Sequence, residues 1–248
     1  MIAKIGLKKG IDMGKLIVIE GLDGSGKTTQ TKLLCDELVS RGLNVRMLSY
    51  PRYDTTSGQL VSEYLHGALG TDAMETNAYA VSDLFAIDRY ISYVKEWRDF
   101  YGDTNAVVVT TRYTTANAIH QLAKLPREEW DGFLRWIYDL EYVKFGIPEP
   151  DMVLFLEMKP EISFELIKKR AEKSGEKPDI HETDLELIKR FYKAGVYSAE
   201  KLGWERIVCH DGREPLPEAD ITSMILEKAT VCLTVNKPAE SRLKNLLG

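Results

Sequence analysis

Cysteine is scarce. The chain has three, Cys35, Cys209 and Cys232, scattered without metal-like or paired spacing, so they are read as reduced thiols of a cytoplasmic protein, with two of them in buried elements. Long apolar runs are lacking as well; none approaches the ~18 residues of a membrane span, and no membrane partner is expected. Basic residues are not in excess either. With 33 Lys+Arg against 38 Asp+Glu the net charge is -5, whereas a nucleic-acid polymer would call for surplus positive surface. Phosphates bound by this chain are therefore expected to be small and locally held. Residues 1–12 carry lysines but neither a sustained apolar stretch nor a cleavage-site pattern, which argues against a signal peptide. They read as a dispensable leader, with Met13-Gly14-Lys15 as an alternative start. No internal repeat or low-complexity tract is visible.

What the chain does have is Gly21-Leu22-Asp23-Gly24-Ser25-Gly26-Lys27-Thr28, a G-x-x-x-x-G-K-[ST] phosphate loop between the apolar run Leu16-Ile17-Val18-Ile19 and a helical pattern. Three glycines in six positions let successive N–H groups turn inward onto phosphates. Lys27 then reaches the β/γ oxygens and the Thr28 hydroxyl holds magnesium. Gly21, Asp23, Gly24, Ser25, Gly26, Lys27, Thr28 and Thr29 are the expected ATP-binding set.

Short β-branched runs recur, each followed by a helical pattern, the alternation of a parallel sheet wrapped by helices. Strands are expected near 15–20, 44–50, 105–111, 151–157 and 205–209, with the near-continuous apolar character of buried parallel strands. Helices are expected near 27–41, 57–67, 77–100, 114–145 with a break around Pro126, 160–173, 183–202 and 216–229. One α/β domain over 13–230 accounts for the length. The polar segment Ala171-Glu172-Lys173-Ser174-Gly175-Glu176-Lys177-Pro178 between two helices reads as part of a mobile lid at about 170–182. The packing of the tail, 231–248, is left open.

Ligands of such sheets collect at the carboxyl ends of the strands. The second strand ends in Ser49-Tyr50-Pro51-Arg52 and the third in Thr111-Arg112-Tyr113, two arginines where a second phosphate would sit, which points to a monoester acceptor. Phe85 and Arg89, four apart, share a helix face.

With these pieces in this order, and with Asn117, Gln121 and Asp179-Ile180-His181-Glu182 behind them, the sequence from about residue 14 to 210 resembles the thymidylate kinases. The resemblance implies a three-layer nucleotide kinase fold with a five-stranded parallel sheet. It implies magnesium-dependent transfer of the γ-phosphoryl of ATP to thymidine monophosphate, and a homodimer packed through long helices. Carried over by residue, Phe85 stacks on thymine, Arg89 bonds a base oxygen, Arg52 and Arg112 clamp the monophosphate, and Asn117 contacts the nucleotide. His120 stands where relatives often carry a tyrosine against the sugar, and the adjacent Gln121 is the alternative polar contact to the base. Lys27, Asp23, Arg112 and Arg170 make the catalytic set, and Thr28 and Glu182 the metal set. The sequence departs from the family pattern at Thr111, where aspartate is common, and at Ile180, where arginine is common when the phosphate loop has none. Two other readings therefore stay open: a kinase of another small nucleotide or deoxynucleoside, and a weakened nucleotide-binding regulatory protein.

Overall fold

The computed structural model describes residues 13–175, 179–182 and 184–234. The leader at 1–12, part of the expected lid (176–178), residue 183 and the tail from 235 lie outside the described residues. Five parallel strands form one sheet: β1 (Lys15–Gly21), β2 (Asn44–Ser49), β3 (Ala106–Thr111), β4 (Met152–Glu157) and β5 (Glu205–Val208), in the order β2-β3-β1-β4-β5. The helices are α1 (Lys27–Ser40), α2 (Thr56–Leu65), α3 (Ala78–Ser92), α4 (Arg98–Tyr101), α5 (Thr114–His120), α6 (Trp130–Tyr138), α7 (Pro160–Ser174), α8 (Leu185–Leu202) and α9 (Glu218–Thr234).

Alternation along the central strands builds two cores. Leu16, Val18, Val108, Val153 and Phe155 face one side, where α2, α3, α5, α6 and α8 pack. Ile17, Ile19, Val107, Val109, Leu154 and Leu156 face the other, against Leu34 and Leu38 of α1 and Ile221 and Ile225 of α9. Burial on both faces is what makes β1, β3 and β4 read as unbroken apolar runs. β2 and β5 differ from that expectation. As edge strands they leave several residues exposed.

Two expected helices are interrupted. The helix expected at 77–100 breaks into α3, a π turn at Tyr93–Trp97 and α4, and the segment after Pro126 ends in a second π turn at Asp139–Lys144. Such turns insert one extra residue per loop of helix and rotate the side chains that follow. At the opposite edge from the phosphate loop, Asp151 takes Lys15 Nζ at 2.9 Å and the Leu16 N–H at 2.8 Å, tying the start of β1 to that of β4.

Candidate active site

β1 delivers the chain into the phosphate loop at the carboxyl edge of the sheet, and the loop needs its glycines. Gly24 has φ 77°, and a Cβ there would stand 2.6 Å from the Ser163 carbonyl oxygen. Gly21 has φ 150°, with the Leu156 carbonyl oxygen 2.7 Å from such a Cβ. A side chain at either position combines backbone strain with a clash against backbone. Residues Asp23 through Gln30 line a cavity of about 1280 Å³ at the amino end of α1. There, unpaired helix N–H groups and the helix dipole favour anions.

Lys27 is 7% exposed and folds back on its own loop, donating to the carbonyls of Gly21 (3.0 Å) and Leu22 (2.7 Å) and to Asp23 Oδ1 (3.3 Å). Burial lowers its pKa, and the Asp23 charge opposes that. Asp23 also takes a close hydrogen bond from Arg112. Burial disfavours its charge, but Arg112 and Lys27 outweigh that and hold the carboxyl well below its usual range. Arg112 reaches this position from the end of β3 with φ 60°, a left-handed conformation that a non-glycine residue adopts at a cost. Thr111, before it, is buried. Its hydroxyl donates to Ser49 Oγ at 2.9 Å across the β2–β3 pair. Both residues line the large cavity with Thr28.

Arg112 is also on the wall of a second, small cavity of about 30 Å³, with Phe85, Asn117, His120 and Gln121. Tyr53, Leu65 and Asp179 border both cavities. Burial, with the Asp23 and Glu182 charges, raises the Asp179 carboxyl to about 7. The Gln121 carboxamide oxygen and nitrogen are buried without a hydrogen-bond partner, as is His120 Nδ1. Buried polar atoms grouped beside one cavity call for a partner, which a water or a ligand can supply. Asn117 Nδ2 donates to the Ser82 carbonyl at 3.3 Å, and Phe85 meets Tyr64 edge-on at 6.2 Å.

Two expected substrate residues are placed elsewhere. Arg89 shares its helix face with Phe85, but one turn further along that face has left the cavity for the core. The guanidinium is 1% exposed and clamped by Glu141, at 2.7 Å from Nε and 2.6 Å from an Nη. Thr114 completes the Glu141 carboxylate at 2.8 Å. Arg52 lines neither of the cavities that meet at Arg112. It pairs with Glu96 at short range and with Asp54 at 3.5 Å, beside a separate cavity of about 110 Å³. Glu96 and Glu141 both lie in the π turns and were not singled out by sequence. An acidic residue among apolar neighbours, as in Leu140-Glu141-Tyr142-Val143, was the available signal.

Glu182, expected as a metal ligand, is bonded by Arg170 at 2.5 Å, and both line the large cavity. Thr28 and Thr29 are exposed there. The Ser25 hydroxyl and Glu20 Oε2 are buried without partners. Glu20 Oε1 takes the Tyr113 N–H (3.1 Å) and the Thr115 hydroxyl (2.6 Å), and burial raises its pKa. Among the described residues no group of three His, Cys, Asp or Glu is placed to hold a metal. A hydroxyl and a nearby carboxylate beside an anion cradle fit a magnesium ion that arrives on nucleotide phosphates and keeps several of its waters.

The thymidylate kinase family model matches residues 19–205. The chain is 31% identical over 179 residues to the thymidylate kinase of Mycobacterium tuberculosis, covering 71% of this chain and 81% of that protein. It is 30% identical over 161 residues to a probable thymidylate kinase of Pyrococcus abyssi, covering 65% and 73%, and 30% identical over 152 residues to the thymidylate kinase of Schizosaccharomyces pombe, covering 60% and 64%. The match spans the phosphate loop, three of the five strands in full and most of the lining of the two cavities that meet at Arg112, and on that extent the chain belongs to the thymidylate kinase family.

Proposed function

We propose that the chain moves the γ-phosphoryl of ATP onto the 5'-phosphate of thymidine monophosphate, giving the diphosphate and ADP. The observation that carries this reading is the meeting of two cavities at Arg112, one a phosphate cradle and the other a small slot lined by Phe85 and by amide and imidazole side chains with unbonded atoms. In this reading the Gln121 carboxamide, a donor and an acceptor side by side, complements the edge of a pyrimidine base while Phe85 packs against its face. Arg112 meets the acceptor phosphate. The acceptor's second pKa lies near ~6, so its attacking oxygen is ionised at neutral pH and no general base is required. The chemical difficulty is repulsion between anions, and the residues contribute alignment and neutralisation. Lys27 leaves the loop carbonyls for the β/γ oxygens, and Arg170 adds charge from α7. Magnesium, held by Thr28 with Asp23 or Glu182 nearby, would supply further neutralisation of the phosphates.

The kinase domain is assigned to residues 13–230, and the protein to the cytoplasm. No helix among the described residues is long and apolar enough to cross a membrane. A homodimer is proposed through α3, whose Tyr79, Ile87 and Tyr90 are exposed. Sedimentation checks that assembly. The activity is tested by incubating the protein with magnesium-ATP and each nucleoside monophosphate in turn and measuring ADP. Thymidine monophosphate should give the highest kcat/KM; a clear preference for another acceptor, or no turnover with any, overturns the reading.

A further inference from the structure

His120 has a fixed ring and a fixed tautomer. The imidazole lies parallel to that of His181, with centroids 5.0 Å apart and planes 7° off, and edge-on to Phe191 at 4.6 Å. Its Nε2 is 3.1 Å from an Nη of Arg112. A guanidinium only donates, so Nε2 carries the lone pair and the proton sits on Nδ1. The ring is neutral: it is 3% exposed, and burial together with the Arg112 charge holds its pKa well below the usual value. Its neighbour is oriented in the same way. Lys124 Nζ donates to Tyr64 Oη at 3.0 Å, which leaves the Tyr64 hydrogen for His181 Nε2 at 2.8 Å.

Arg112 therefore has two acceptors at right places but of different kinds. Asp23, from the phosphate loop, supplies a charge that draws the guanidinium toward the donor side and cancels part of its positive field. A neutral imidazole directs one edge of the fork without cancelling anything, leaving the cation available to a phosphate. We propose that His120 is a positioning residue for Arg112, setting the direction of its guanidinium toward the acceptor phosphate through the Nε2 lone pair. This rests on the reading of Arg112 as the residue that meets that phosphate.

The test is steady-state kinetics, with thymidine monophosphate and ATP varied separately, on four single variants and one double, each checked for folding by its melting curve. His120→Phe keeps an aromatic ring and removes the acceptor. His120→Asn keeps an amide too short to reach Arg112, and His120→Gln places an amide oxygen near the original Nε2. Both His120→Phe and His120→Asn should raise KM for the monophosphate about tenfold, the size of one lost hydrogen bond to a charged group, with KM for ATP unchanged. His120→Gln should recover most of that loss. Arg112→Ala should raise the same KM further, and adding His120→Phe to it should change nothing more. The proposal is overturned by an unchanged monophosphate KM in a folded His120→Phe or His120→Asn protein. It is also overturned by equal damage in Gln and Asn variants, or by full additivity in the double variant, since either result leaves only ring packing. Arg112→Ala with an unchanged monophosphate KM removes the underlying assignment of Arg112 and the proposal with it; an impaired Arg112→Ala beside a silent His120→Phe removes the proposal alone.

Discussion

Lys27 at rest bonds two neutral carbonyls and one carboxylate, partners that a polyphosphate outbids electrostatically. Its replacement by Ala should lower transfer by ~100-fold or more, the cost of removing one preorganised stabilising group, while denaturant melts shift by no more than about 1–2 kcal/mol. Arg89 presents the opposite balance. It is held in a buried pair with Glu141, and breaking such a pair strands the surviving charge. Glu141→Gln should cost about 3–5 kcal/mol of unfolding free energy in a urea titration, with base preference among monophosphates kept. Thr111 offers a neutral contact where the family pattern has a carboxylate, and it faces the same cavity as Thr28. Thr111→Asp should lower the magnesium concentration that gives half-maximal rate, by a shift of the whole titration curve. Of these residues the place of Lys27, at the start of α1 beside the loop cavity, was legible from sequence because the loop demands glycines at fixed offsets. The pairing of Arg89 was not, since its partner lies 52 positions away and i, i+4 spacing reports which face a side chain is on without saying where that face leads.

Elements were legible where one physical rule acted alone. All five strands and α1, α2, α7 and α8 follow from apolar runs, glycine stops and the Pro at the start of α7. The two π turns were not, because they answer to tertiary pairing: each carries the glutamate, Glu96 or Glu141, that captures an arginine from another part of the fold. Lys124, just past α5, ties that region to α2, and among the described residues no carboxylate is hydrogen-bonded to its ammonium, though the Asp72 charge acts on it. It donates to Tyr64 Oη and to Thr76 Oγ1 at 2.7 Å, and burial pulls its pKa down to about 7. In the unfolded chain this group titrates near ~10.4, so above about pH 7 the unfolded state holds the extra proton. Stability from this group therefore rises as pH increases from about 7 to 8.5, by up to about 1.4 kcal/mol per unit, and is lost as pH falls through 7. The window closes where the buried Cys35 and Cys209 thiols, both pushed up to about 12, begin to act the other way. Urea midpoints at pH 7, 7.75 and 8.5 should climb in the native chain and climb less in Lys124→Met.

Across the whole molecule, the strand order β2-β3-β1-β4-β5 puts β1 and its loop between the ends of β2 and β3, which carry Arg52 and Arg112, and the helix α7 that follows β4 and carries Arg170. Parallel strands give the sheet a polarity, and every residue assigned here to phosphate or base lies on the carboxyl side or on helices facing it. The opposite rim is closed by Asp151 on Lys15 and Leu16 and by the exposed turn at 102–105. A flexible peptide inserted after Thr104 should leave both Michaelis constants within about twofold, since exposed turn tips accept added length at small entropic cost; a tenfold change in either would show that the rims communicate. The practical meaning is one of handedness in attachment: a molecule anchored to a bead through that turn would hold its reacting rim outward, open to diffusing nucleotides, whereas anchoring through the exposed loop at Tyr53 would turn the same rim against the support.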